Sequence, residues 1–259
     1  MDLGKLSLLL SIFTRLFKSI NQHLKLNFLM IRQILTPALK LWLYSQVEQA
    51  DDLKVNITGS DRQILRGYIP RVSLNTSCAV YQSLHLGEVR LTGDNIRVNL
   101  PQVLKGKALQ LLEPITVSAH ISLTEAQLQA SLDSPLLSVA LKDFLAMLLK
   151  SSLDEPEVSN IISLKTNWDN VTIGTNELAL SGNLVHGSQG VTPIKINAGL
   201  KLSNGNQLNL TPLQIVGIPQ LTEEELDVLN LDLGSDVEIN SLNLTSGKLL
   251  IEGKIMVRP

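Results

Sequence analysis

The chain has 259 residues, 44% of them hydrophobic, and its 22 basic and 24 acidic side chains leave a net charge of −2. That is enough apolar material for one large domain or two of ordinary size, which excludes a disordered chain. With no overall positive field and only nine aromatic rings (two Trp, three Tyr, four Phe) to stack on bases, nucleic-acid binding is disfavoured.

In residues 1–20, Leu3, Leu6, Leu9, Leu10, Phe13, Leu16, Phe17 and Ile20 recur at steps of three and four, with Lys5, Arg15 and Lys18 on the other side. This predicts an amphipathic helix with a basic polar face. Arg15 and Lys18 follow Phe13 too closely for a secretory signal, and no Ala-x-Ala cleavage site occurs. A membrane span would need about 20 predominantly apolar residues, which this stretch lacks. An interfacial helix fits, with Leu6, Leu9, Leu10, Phe13, Leu16, Phe17 and Ile20 toward acyl chains and Arg15 and Lys18 toward anionic headgroups. The plainer alternative is a surface helix packed on its own domain. Residues 1–26 are set apart on this reading. Residues 28–47 continue as helix, with Thr36 an N-cap and Pro37 at the first helical position; Leu35, Ala38, Leu41 and Trp42 face inward.

From residue 53 the period becomes two: Leu53, Val55 and Ile57; Val72, Leu74, Thr76, Cys78 and Val80; Val89 and Leu91; Ile96, Val98 and Leu100. That is the signature of a sheet with one apolar face. Gly59-Ser60-Asp61 and Gly93-Asp94-Asn95, where the phase switches parity, predict hairpins or bulges. The run 72–86 is either one unusually long strand or is broken by a turn at 79–83. After Pro114 the alternation returns at Ile115, Val117, Ala119 and Ile121, then gives way to Thr124 with Gln127, a capping box, and to Ser134-Pro135 opening a second helix. Residues 136–149 are polar only at Ser138, Lys142 and Asp143, so a wide apolar face carrying Leu137, Leu141, Phe144, Leu145 and Leu148 must lie against a sheet. The acidic stretch 151–160 is the candidate boundary, dividing 27–259 into halves 27–152 and 158–259. Beyond it Val171 and Ile173, Leu178 and Leu180, 194–202 and 249–257 alternate again. Ser203-Asn204-Gly205-Asn206 predicts a hairpin turn, and Thr222 with Glu225 repeats the capping box. The fold class is α+β: a long antiparallel sheet against one or two apolar helices.

No catalytic constellation emerges. His23, His85, His120 and His186 are scattered singly without metal-ligand spacing, so no metal and no cofactor is expected. The single cysteine, Cys78, permits neither an internal disulfide nor a cysteine-rich zinc site, and no cysteine near the N-terminus offers a lipoprotein acylation box. Gly187-Ser188-Gln189-Gly190 lacks the lysine and helix of a phosphate loop. Arg62, Arg66 and Arg71 are the candidates to neutralise a phosphate headgroup, against the ordinary role of exposed arginines as solubilising groups.

Residues 42–47, Leu53-Lys54-Val55-Asn56-Ile57-Thr58-Gly59-Ser60-Asp61-Arg62-Gln63-Ile64-Leu65-Arg66-Gly67, Ile69-Pro70, Val80-Tyr81, Val89-Arg90-Leu91, Pro101 and Leu123-Thr124-Glu125 through Ser134-Pro135-Leu136-Leu137 resemble the LmeA family of phospholipid-binding proteins, in particular its cyanobacterial branch. The resemblance implies a fold similar to tubular lipid-binding (TULIP-like) domains, in which a long curved sheet wraps a helix and leaves an apolar groove. It also implies a phospholipid partner. Exported members begin with a cleavable signal where this chain has a basic amphipathic segment, so the cytoplasmic face of a membrane and the cell envelope both stand open. Two functional expectations result. The first is non-catalytic phospholipid binding or transfer at a membrane surface, with Leu137, Leu141, Phe144, Leu145, Leu148, Leu41 and Trp42 lining the acyl groove. The second is a structural or assembly factor whose apolar helix is a filled core and whose sheet edge docks a protein partner.

Overall fold

A computed structural model of the protein describes residues 36–37, 40, 44, 47–103, 107, 110–150, 158–159, 161, 164–186, 190–218 and 229–259. The amphipathic segment 1–26 lies outside the described residues, as do Leu41, Trp42 and the second capping box at Thr222.

In chain order come strands β1 (Gln49–Asp51) and β2 (Lys54–Thr58), helix α1 (Asp61–Leu65), strands β3 (Tyr68–Thr76), β4 (Cys78–Tyr81), β5 (Leu84–Leu86) and β6 (Val89–Arg97), helix α2 (Leu100–Val103), strand β7 (Ile115–Thr124), and helices α3 (Glu125–Ala130) and α4 (Pro135–Lys150). Strands β8 (Lys165–Ile173), β9 (Glu177–Val185), β10 (Val191–Asn204), β11 (Gln207–Val216), β12 (Leu229–Asp232), β13 (Val237–Thr245) and β14 (Lys248–Val257) follow. The protein is thus mostly antiparallel sheet with few helices, an α+β arrangement. The chain divides into two compact units. The first comprises Met1–Cys78, Val89–Ala119 and Lys254–Pro259, the second Ala79–Glu88 and His120–Gly253. The first unit draws on both ends of the sequence and the second on two internal stretches, the longer of which contains residues 151–160.

In the first unit, β2 pairs with β3 from Lys54↔Asn75 to Thr58↔Arg71, and β3 pairs with β6 from Tyr68↔Arg97 to Thr76↔Val89, all antiparallel. The expected hairpin or bulge at Gly59-Ser60-Asp61 is an antiparallel β2–β3 connection that carries a helical turn. Gly59, at φ 136°, leads into α1, whose N-cap is Ser60. The Gln63 N–H donates to Ser60 Oγ at 3.4 Å, while Gln63 Oε1 accepts from the Ser60 N–H at 2.9 Å. This reciprocal capping box stabilises one helical turn, and Ile64 anchors it as a fully buried side chain. At Gly93-Asp94-Asn95 the strand does not reverse. Pairing skips Pro70 and Asn95 and resumes at Ile69↔Ile96 without slipping. Asn95, at φ 55°, carries the parity switch, which keeps Ile96 on the face of Leu91 and Gly93. The 72–86 run is broken after all: β3 ends at Thr76 and chain reversal falls at Gln82 and Ser83, at φ 49° and 59°.

The second unit carries the five-stranded order β12-β11-β10-β9-β8. The predicted hairpin turn joins β10 to β11, where Asn204 pairs with Gln207 around Gly205-Asn206. Thr124 caps α3 as predicted, accepting from the Gln127 N–H at 3.3 Å while Gln127 Oε1 accepts from the Thr124 N–H at 2.8 Å. Ser134 Oγ accepts from the Leu137 N–H at 3.1 Å at the start of α4. Leu145, Leu148 and Leu149 of α4 then join Leu184, Ile194, Ile196, Ala198, Leu210, Leu213 and Ile215 of β9–β11 in one core. Helix α3 acts on the sheet edge. Its Gln129 donates from Nε2 to Asp169 O and accepts at Oε1 from the Val171 N–H, both at 2.8 Å, and Glu125 Oε2 accepts from the Ile173 N–H at 2.8 Å. Two side chains so occupy the hydrogen-bonding positions of a neighbouring strand on β8.

Candidate functional site

Alternation places Val55 on β2, Val72 and Leu74 on β3, Leu91, Gly93 and Ile96 on β6, and Ile115 and Val117 on β7 along one face of the first unit's sheet, around a pocket of about 190 Å³. Seven of these are aliphatic side chains left half-buried, and the eighth is glycine. The wall contains no charged, hydroxyl or amide side chain. Such a surface holds no nucleophile, acid or base and no point for orienting a polar substrate. It can exchange water for hydrocarbon, as apolar cavities of about 150 Å³ do for benzene.

The other face is ionic. Arg71 neighbours Val72 in an extended strand and so points away from the pocket. Its Nε donates to Asp94 Oδ1 at 2.5 Å and its Nη2 to Oδ2 at 3.3 Å, across the Arg71↔Asp94 register pair. The hydrogen bond and then the charge of Asp94 raise the pKa of Arg71 above its ordinary value. Arg97 lies with its guanidinium 5.2 Å from the Tyr68 ring centroid and its Nε 3.3 Å from Glu113 Oε2. Arg62, inside α1, and Arg66, its C-cap, are exposed. The three arginines proposed for a headgroup therefore fall into two settings, an exposed pair at one short helix with no carboxylate partner among the described residues and a third engaged by a carboxylate.

The five α4 side chains take another position. Leu145 and Leu148 are 2% and 0% exposed inside the second unit's core, with Phe144 packed against it. Leu137 and Leu141 are half-buried beside Leu132, Val171 and Leu180. Leu6, Leu9, Leu10, Phe13, Arg15, Leu16, Phe17, Lys18 and Ile20 lie outside the described residues, as do Leu41 and Trp42. Sequence reasoning passed over the pocket residues because their alternation is the same whether a strand face is covered or bare. The signal that sets them apart is the glycine at position 93 on the apolar face of β6.

Among the described histidines, His120 Nδ1 lies 2.9 Å from Glu252 Oε1 and His186 Nε2 lies 2.9 Å from Thr192 Oγ1. Among the described residues no three His, Cys, Asp or Glu side chains come together in a way that could hold a metal, and no helix is long and apolar enough to cross a membrane. No curated protein and no solved structure matches the chain. The LmeA-like phospholipid-binding family does match, over residues 29–254, and the chain belongs to that family.

Proposed function

We propose that the protein binds a phospholipid through an acyl chain seated in the first unit's sheet pocket, at a membrane surface and without catalysing a reaction. The observation that carries this reading is the wholly aliphatic, half-buried lining from Val55 to Val117. Family membership supplies the ligand class. Hydrocarbon leaving water stabilises the complex by about 0.8 kcal/mol per methylene, with little preference among acyl chains of similar length. The headgroup stays near water, where Arg62 and Arg66 offer exposed positive charge. Residues 1–26 bring the protein to anionic lipid, and transfer follows from alternating between a membrane-held and a free loaded state. A TULIP-like groove along α4 is the second acyl surface in this reading, because Leu137, Leu141 and Phe144 keep part of their surface open.

An assembly-factor reading draws on a different observation, the complete burial of Leu148 and Leu149, which makes the inner half of α4 ordinary core. Native mass spectrometry with organic extraction of the gently purified full chain separates the two. Stoichiometric phospholipid is the expected result, and it names the headgroup. A chain that arrives empty and takes up nothing from phosphatidylcholine/phosphatidylglycerol vesicles sinks lipid binding and leaves the protein-contact reading.

A further inference from the structure

Gly93 has no explanation in the fold. It lies inside β6 with ordinary backbone geometry, opposite Val72, where glycine weakens a strand by its conformational freedom and its lack of a packing side chain. Other glycines are required by their surroundings. A Cβ would run into the carbonyl of Val98 at Gly67, of Asn167 at Gly182 and of Thr211 at Gly199. Among the described glycines without a positive φ, Gly93 alone would carry a Cβ with nothing closer than 3.4 Å. Its neighbours would be Ile96 Cδ1 at 3.4 Å, Val117 Cγ2 at 3.8 Å and Ile115 Cδ1 at 3.9 Å, all side chains of the pocket. The space left by the missing side chain therefore borders the pocket, and Gly93 itself is buried among the pocket's side chains.

We infer that Gly93 is the specificity-determining residue of the acyl site: its absent side chain lets a straight hydrocarbon chain lie directly against β6 between Val72 and Val117. The inference rests on the lipid-binding reading and deepens it, because it fixes where the chain crosses the sheet. A methyl group at position 93 narrows the passage, and an isobutyl group fills it. Since the added atoms enter a void lined by aliphatic side chains, they improve packing of the empty protein.

The test uses the full chain, its Gly93→Ala and Gly93→Leu variants, and phosphatidylcholine/phosphatidylglycerol vesicles carrying a trace of phosphatidylcholine with a diazirine in one acyl chain. The expected results are photolabel on peptides containing residues 89–97 and 115–124, a graded fall in retained lipid through Ala to at least about tenfold for Leu, and a melting temperature equal to or above that of the parent. Equal lipid retention by parent and Gly93→Leu overturns the inference and leaves lipid binding standing. Label confined to residues 135–150 does the same and moves the chain to α4. A parent that binds no lipid overturns both. If Gly93→Leu fails to fold, the single methyl of Gly93→Ala and the label map on the parent decide it.

Discussion

Arg71 and Arg62 carry the same charge, yet the structure gives them different prospects. The Arg71 guanidinium is neutralised by Asp94 on the face turned from the pocket, in a pair whose side chains are 58% and 44% exposed. Water and salt screen an exposed pair of this kind, so Arg71→Ala should change stability little and vesicle binding less. Arg62 and Arg66 have free access to phosphate. Replacing both with Ala should weaken cosedimentation with phosphatidylglycerol vesicles several-fold, leave uptake from phosphatidylcholine vesicles unchanged, and lose its effect at high salt, where exposed charges are screened. A double variant that binds anionic vesicles like the parent removes the two arginines from the headgroup site. Legibility at this scale followed chemistry. Thr124 with Gln127 announced its capping box, and Ser60 with Gln63 carries the same pair of groups, masked in the sequence by the turn signal of Gly59. Reversal at Gln82-Ser83 was legible only as one of two alternatives over 79–83, since a two-residue turn with both φ values positive ordinarily uses Asn or Gly.

Elements show a sharper limit. The period of 136–149 states that α4 is apolar on most of its girth, and its bounds and its Ser134 cap were readable. Which sheet covers it was not, because periodicity describes a face and never its partner. That is why Leu145 and Leu148, expected beside an acyl chain, lie among β9, β10 and β11. Leu148→Ala should therefore destabilise the protein by about 2–5 kcal/mol in urea unfolding, the cost of a core cavity. A loss well under that range would mean that the side chain borders an open groove. The α3 contact with β8 gives a second test. Gln129→Ala leaves the Val171 N–H without its acceptor, at a cost of about 1–3 kcal/mol, and hydrogen exchange at Val171 should quicken relative to Ile173, which Glu125 still holds.

For the whole molecule, the alternation from residue 53 onward fixed sheet, parity and fold class, but not how strands from distant parts of the chain assemble. Units built from Val89–Ala119 with Lys254–Pro259, or from Ala79–Glu88 with His120–Gly253, join segments far apart in sequence. The apolar pocket was hidden for the same reason: Val55 and Val117 are 62 positions apart, and neither signals that the other is beside it. Membrane attachment and ligand binding belong to separate stretches in this reading, so removing residues 1–26 should abolish cosedimentation with anionic vesicles while bound phospholipid is retained in native mass spectra. Joint loss of both properties would show that the segment forms part of the lipid site.

The side-chain clamp on β8 also bears on solubility. A strand with bare N–H and C=O groups invites another chain to pair with it, which is how ordered aggregates begin. Over Asp169–Ile173 the Asp169 carbonyl and the Val171 and Ile173 N–H groups are already engaged from within the same molecule. Loosening α3 would then reopen this stretch of edge to pairing with another chain.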